Sequence, residues 1–71
     1  KTRLQEFLQA KKEDLPVYDL TGVSGQDHDQ MFIIECRCSL LDKPTKAEAP
    51  SRRIAEQKAA RLALQKLGQE S

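Results

Sequence analysis

The 71-residue chain contains no tryptophan, one tyrosine, two phenylalanines and one histidine, with three glycines, three prolines and two cysteines. Each shortage removes a class of function. A domain this small buries only about 60% of the surface its unfolded chain exposes, so Phe7, Tyr18 and Phe32 are all expected in the core. That leaves no aromatic platform on which single-stranded bases could stack. His28 is near no nucleophile at a spacing that suggests a catalytic pair, so no active site is expected in this segment. No stretch of about 18 apolar residues occurs, and no membrane partner is expected. A signal-peptide pattern is also lacking. The first residue is Lys1 rather than methionine, which suggests a piece of a longer protein.

The two cysteines, Cys36 and Cys38, are two residues apart. On a strand both point to one face, with Cα atoms about 6.6 Å apart. Their parallel Cβ vectors are poor geometry for a disulfide, and a reduced, cytoplasmic setting is the expectation. Cys36, Cys38 and His28 are too few ligands for a closed zinc site. Asp27, His28 and Asp29 read as a solvated turn, so no cofactor is expected in this segment.

What is present falls into five elements. Leu4, Phe7 and Leu8 give one apolar helical face, opposite Gln5, Glu6 and Gln9. Thr2 with Gln5 has the spacing of a capping box, and the helix is expected to fade near Lys11 or Lys12, because Pro16 restricts the residue before it. From Val17 the period changes to two, until Gly22 and Gly25 break it. Gln26-Asp27-His28-Asp29 is a turn. Phe32, Ile34, Cys36 and Cys38 then share one strand face, and Ile33, Glu35, Arg37 and Ser39 share the other. Asp42-Lys43-Pro44 is a second turn, with a short third strand over Thr45–Ala49. Ser51 caps a last helix that Gly68 closes. Ala55, Ala59, Leu62, Ala63 and Leu67 form its apolar stripe. The fold class expected is α+β in the order α-β-β-β-α, a three-stranded antiparallel sheet with both helices packed on one face.

The net charge is +1, from 12 basic and 11 acidic residues, which at first argues against a nucleic-acid partner. The sum hides two unlike parts. Residues 1–35 hold 4 basic and 7 acidic side chains, and residues 36–71 hold 8 and 4. Ser51-Arg52-Arg53 puts two arginines in the first turn of a helix, where cations oppose the macrodipole. Two readings stand on these residues alone: a phosphate site made of free N–H groups and two guanidinium forks, or two solvated arginines. Gly22-Val23-Ser24-Gly25 has the letters of the KH-domain loop, but here it ends a strand instead of joining helices.

Several strings, taken in order, resemble the double-stranded RNA-binding domain. They are Leu4-Gln5-Glu6, Pro16-Val17-Tyr18, Gly25-Gln26-Asp27-His28, Phe32-Ile33-Ile34 and the run from Ser51-Arg52-Arg53 through Ala55-Glu56-Gln57 to Ala60. The opening Lys-Thr-x-Leu-Gln-Glu and the Ser-Arg-Arg-x-Ala-Glu-Gln string look most like the C-terminal domain of bacterial ribonuclease III, with residues 1–71 as one such domain. The resemblance implies recognition of duplex RNA by shape. Thr2, Gln5, Glu6 and Gln9 would lie in one minor groove, His28 in the next, and Ser51, Arg52 and Arg53 on phosphates across the major groove. It also implies a homodimeric, magnesium-dependent, cytoplasmic parent nuclease, whose catalytic acids belong to another domain. Two departures stand out. Ala47-Glu48-Ala49-Pro50 replaces the usual Gly-x-Gly, and Glu56 occupies a usually basic position. Ile54 falls off the apolar stripe. Ala47, Ala49, Glu56 and the acidic first half favour an alternative, a family member that acts as a protein-interaction or dimerisation module.

Overall fold

In the computed structural model the backbone is described for residues 2–68 and the side chains for residues 3–68. The elements are α1 (Thr2–Ala10), β1 (Val17–Ser24), β2 (Met31–Arg37), β3 (Thr45–Ala49) and α2 (Arg52–Lys66). The strands form one antiparallel sheet in the order β1-β2-β3. The α-β-β-β-α order, the antiparallel sheet and the short third strand are as the sequence led one to expect. The capping role expected of Thr2 depends on a side chain outside the described residues.

Alanine sets the distance between the layers. Ala55, Ala59, Ala60 and Ala63 of α2 are fully buried and pack over β2 and β3, whose inward residues include Ile34, Cys36, Ala47 and Ala49. Small side chains on both sides let the helix backbone approach the strands closely. Thr45 then reaches across the seam, its Oγ1 donating to the Ala59 carbonyl at 2.8 Å. Leu4 and Leu8 of α1 enter the same cluster, and α1 lies against α2.

Several sequence expectations are corrected here. Leu62 belongs to the expected stripe but is 37% exposed, whereas Ala60 and Leu64 are buried. The buried arc of α2 is turned toward Ala60 and Leu64 because α2 faces α1 as well as the sheet. Phe7 and Tyr18 are only partly buried against the core, and Phe32 is half-buried outside the main cluster. Gly22 does not end β1. The strand passes through a bulge between Leu20 and Gly22, where Thr21 is the extra residue and its hydroxyl donates to the Ile33 carbonyl at 3.3 Å. Leu20 and Val23 remain exposed at the uncovered edge. Strand β2 stops at Arg37, so Ser39 lies in the following turn, where its hydroxyl donates to Glu13 Oε1 at 2.7 Å.

The end of α1 has a local cause closer than Pro16. Lys12 sits at φ 60°. The Glu13 N–H donates to the Leu8 carbonyl and the Lys12 N–H to the Gln9 carbonyl, the paired bonds of a Schellman closure. α2 ends on Gly68 at φ 77°, as its sequence suggested. Gly25, at φ 88°, has a stricter requirement, since a Cβ there would collide with the Asp29 carbonyl oxygen.

Three outcomes follow. Thr45→Val keeps the shape and loses the strand-to-helix hydrogen bond, so it should cost about 1 kcal/mol and lower Tm by roughly 4–8 °C; an unchanged melt would show that the bond contributes nothing. Gly25→Ala should destabilise by more than about 1 kcal/mol, because both φ and space are wrong for a side chain; chemical denaturation measures it. The third concerns the thiols. Burial first, then the charge of Cys38, pushes the Cys36 thiol from 9.0 up to about 11. The fold therefore holds this acid neutral. Its contribution is complete below pH 9 and is lost as pH rises toward 11. Cys36→Ala should make the alkaline loss of stability shallower, and iodoacetamide at neutral pH should label half-buried Cys38 well before buried Cys36.

Candidate nucleic-acid interface

The loop between β1 and β2 is built by Gly25 and by a tight turn in which the Asp29 N–H donates to the Gln26 carbonyl at 2.8 Å. Gln26, Asp27, His28 and Asp29 are all exposed as a result. Antiparallel pairing decides what the loop faces. Phe32, just after the loop, pairs with Ala49 at the end of β3, and Pro50-Ser51-Arg52 follows at once. The loop and the start of α2 therefore share one end of the sheet. Between them lies an open hollow of about 510 Å³, lined by Asp27, His28, Asp29, Gln30, Met31, Phe32 and Pro50.

At the start of α2, Ser51 has the extended backbone of an N-cap (φ −131°, ψ 139°), but its side chain makes no capping hydrogen bond. No acidic residue lies in the first turn. Helix geometry leaves the first N–H groups without intrahelical partners, and they are the positive end of the macrodipole. Arg52 and Arg53 are exposed beside them. This combination suits a phosphate oxygen: convergent N–H donors, a half-buried hydroxyl and two guanidinium groups.

Glu56 is one turn further along. Its Oε2 is 3.6 Å from Arg52 Nε, and its side chain is only 15% exposed. Burial first, then the neighbouring Cys36 and, after it, the charge of Glu56 push the Tyr18 phenol above its ordinary range. On α1, Glu6 and Gln9 are exposed and Gln5 is half-buried; the side chain of Thr2 lies outside the described residues. The expected site residues thus fall into two groups. His28 lines the hollow with Pro50, the residue just before Ser51-Arg52-Arg53, and the α1 residues lie on a separate helix packed beside α2.

Ala47 and Ala49 are not loop residues here. Both are buried on β3 beneath α2, so their methyl groups replace the expected glycines as core. Ile54 is 43% exposed on the outer side of α2. Phe32 and Pro50, which line the hollow, were not visible as site residues in the sequence. Their place depends on the register of β2 against β3, which no local pattern reveals. Among the described residues no group of three or more His, Cys, Asp or Glu side chains is placed to hold a metal ion, and no helix is long and apolar enough to cross a membrane.

Comparison with known proteins agrees with this geometry. The sequence profile of the double-stranded RNA binding motif matches residues 1–67. Ribonuclease 3 of Vibrio vulnificus is 52% identical over 67 residues, covering 94% of this chain and 30% of that protein. Ribonuclease 3 of Azotobacter vinelandii is 49% identical over 71 residues, covering all of this chain and 31% of that protein. The chain therefore spans about 30% of the length of these curated relatives. A solved structure of Arabidopsis HYL1 superposes with a TM-score of 0.79 at 30% identity, covering 94% of this chain and 93% of that one. With the fold, the profile and the sequence relatives in agreement, the chain belongs to the double-stranded RNA-binding motif family and is closely related to the domain of this kind in bacterial ribonuclease 3.

Proposed function

We propose that this domain binds duplex RNA by shape and positions it for cleavage by the nuclease domain of a ribonuclease III-type parent. The observation that carries the reading is the shared end of the sheet: an exposed His28 loop and Pro50 line one hollow, and Pro50 leads directly into a helix N-terminus with no side-chain cap and two exposed arginines. A-form RNA offers a shallow minor groove lined with 2′-hydroxyls and a major groove too narrow for side chains to read. Neutral polar groups suit the first, and cations at the groove rim suit the phosphates of the second.

In this reading Thr2, Gln5, Glu6 and Gln9 exchange hydrogen bonds in one minor groove. His28 enters the next, and Ser51, Arg52 and Arg53 hold phosphates between them. Asp27 and Asp29 flank His28, which suits a loop aimed at hydroxyls and base edges rather than at phosphate. Residues 1–71 form the RNA-binding domain of a cytoplasmic, homodimeric parent, whose magnesium-dependent catalysis belongs to its nuclease domain. The alternative, a protein-interaction or dimerisation module, drew on Ala47, Ala49, Glu56 and the acidic first half; of these, Ala47 and Ala49 are buried and offer a partner no surface.

Gel-shift titration with duplex RNA and duplex DNA of equal length tests the reading. Binding should favour RNA and weaken steeply with salt, and equal affinity for the two would overturn it. Arg53→Ala should weaken binding across RNA sequences alike and reduce the salt slope by roughly one; an unchanged slope would take Arg53 off the phosphates.

A further inference from the structure

Glu56 is the one acid among five basic residues between Ser51 and Leu67. Its pairing with Arg52 is not the arrangement that helix stability favours. In an i,i+4 pair the acid is better placed N-terminal to the base. Near a helix N-terminus the macrodipole likewise favours a carboxylate over a guanidinium. Exchanging the two residues would satisfy both rules. The observed order instead puts the cation where a phosphate would meet it and the anion behind it.

The geometry makes Glu56 a little-exposed counter-charge beside Arg52, paired with it as an ion pair longer than a hydrogen bond. The Glu56 side chain is 15% exposed and near enough to Tyr18 of β1 for its charge to act on the phenol, whereas Arg52 is 57% exposed. The closest approach, 3.6 Å, is to Nε, at the root of the guanidinium. A little-exposed acid beside the root of an exposed fork favours one direction for the fork. A free arginine on its flexible stem can follow phosphates of many spacings. A held one is suited to fewer.

We infer that Glu56 is a specificity-determining positioning residue, which holds the Arg52 guanidinium toward the phosphate spacing of A-form RNA and so lowers affinity for duplex DNA. The inference rests on the duplex-RNA reading above. Charge screening alone would weaken RNA and DNA binding by the same factor and leave their ratio untouched. Restricting Arg52 weakens DNA binding more, because the B-form duplex presents its phosphates differently.

The test measures affinities for duplex RNA and duplex DNA of equal length in Glu56→Gln, with folding checked by circular dichroism and thermal melting. DNA binding should tighten while RNA binding changes less, so that the RNA-to-DNA ratio falls about threefold, the scale of one exposed ion pair. In an Arg52→Ala background Glu56→Gln should leave the ratio unmoved, because the effect passes through Arg52. Arg52→Lys keeps the charge, lacks the planar fork and leaves the half-buried Glu56 in place; it too should lower the ratio. RNA and DNA affinities rising by one factor, or a ratio unmoved in both Glu56→Gln and Arg52→Lys, would overturn the inference. A wild-type domain with no preference for RNA would instead overturn the reading beneath it.

Discussion

The close approach of α2 to β2 and β3 is the constraint on which the rest depends. Alanines on the helix face alanines on the strand, and the Thr45 hydroxyl ties the seam to the Ala59 carbonyl. Among the described residues few large apolar side chains are buried, chiefly Leu4, Leu8, Ile34 and Leu64, so the interior is a thin one built largely from small groups. A thin interior leaves little slack. It fixes the axis of α2 against the sheet, and with it the place of Ser51, Arg52 and Arg53 beside the end of β3. The pairing of Phe32 with Ala49 then brings the His28 loop to the same end. Core packing and site geometry are thus set by the same contacts.

Much of this was legible in the sequence. The period-two run from Phe32 to Ser39, the Ser51 and Gly68 boundaries of α2 and the order of elements are local signals, and the structure has them there except that β2 stops at Arg37. What was not legible depends on neighbours distant in sequence. Leu62 looks like core by helical spacing, but the presence of α1 beside α2 turns the buried arc toward Ala60 and Leu64. Gly22 looks like a break, but pairing with β2 makes it part of a bulge. Lys12 gives no glycine signal, yet it takes the left-handed position at the end of α1. Ala47 and Ala49 read as departures from a loop, but in the sheet they are inward residues of β3.

The charge arithmetic takes on a physical meaning from these positions. A net charge of +1 is weak for a nucleic-acid binder, but the cations that matter are concentrated at one helix end with the macrodipole behind them. The remaining expected contacts, on α1 and the loop, come from polar or mildly acidic residues. Such a surface limits the part of binding that any polyanion could satisfy. In the proposed reading it would place more of the discrimination on hydrogen bonds to hydroxyls and on fit to the A-form surface.

The central claim is that α1, the β1–β2 loop and the start of α2 act together on one duplex. The most direct measurement is a titration of the isotope-labelled domain with a duplex RNA of about 16 base pairs, following backbone amide signals. The account predicts that amides near Gln5–Gln9, Gln26–Gln30 and Ser51–Ile54 shift together at one stoichiometry, while Lys46 and Glu48 on the outer face of the sheet stay unmoved. Shifts confined to one of the three segments, or centred on the outer sheet face, would contradict it.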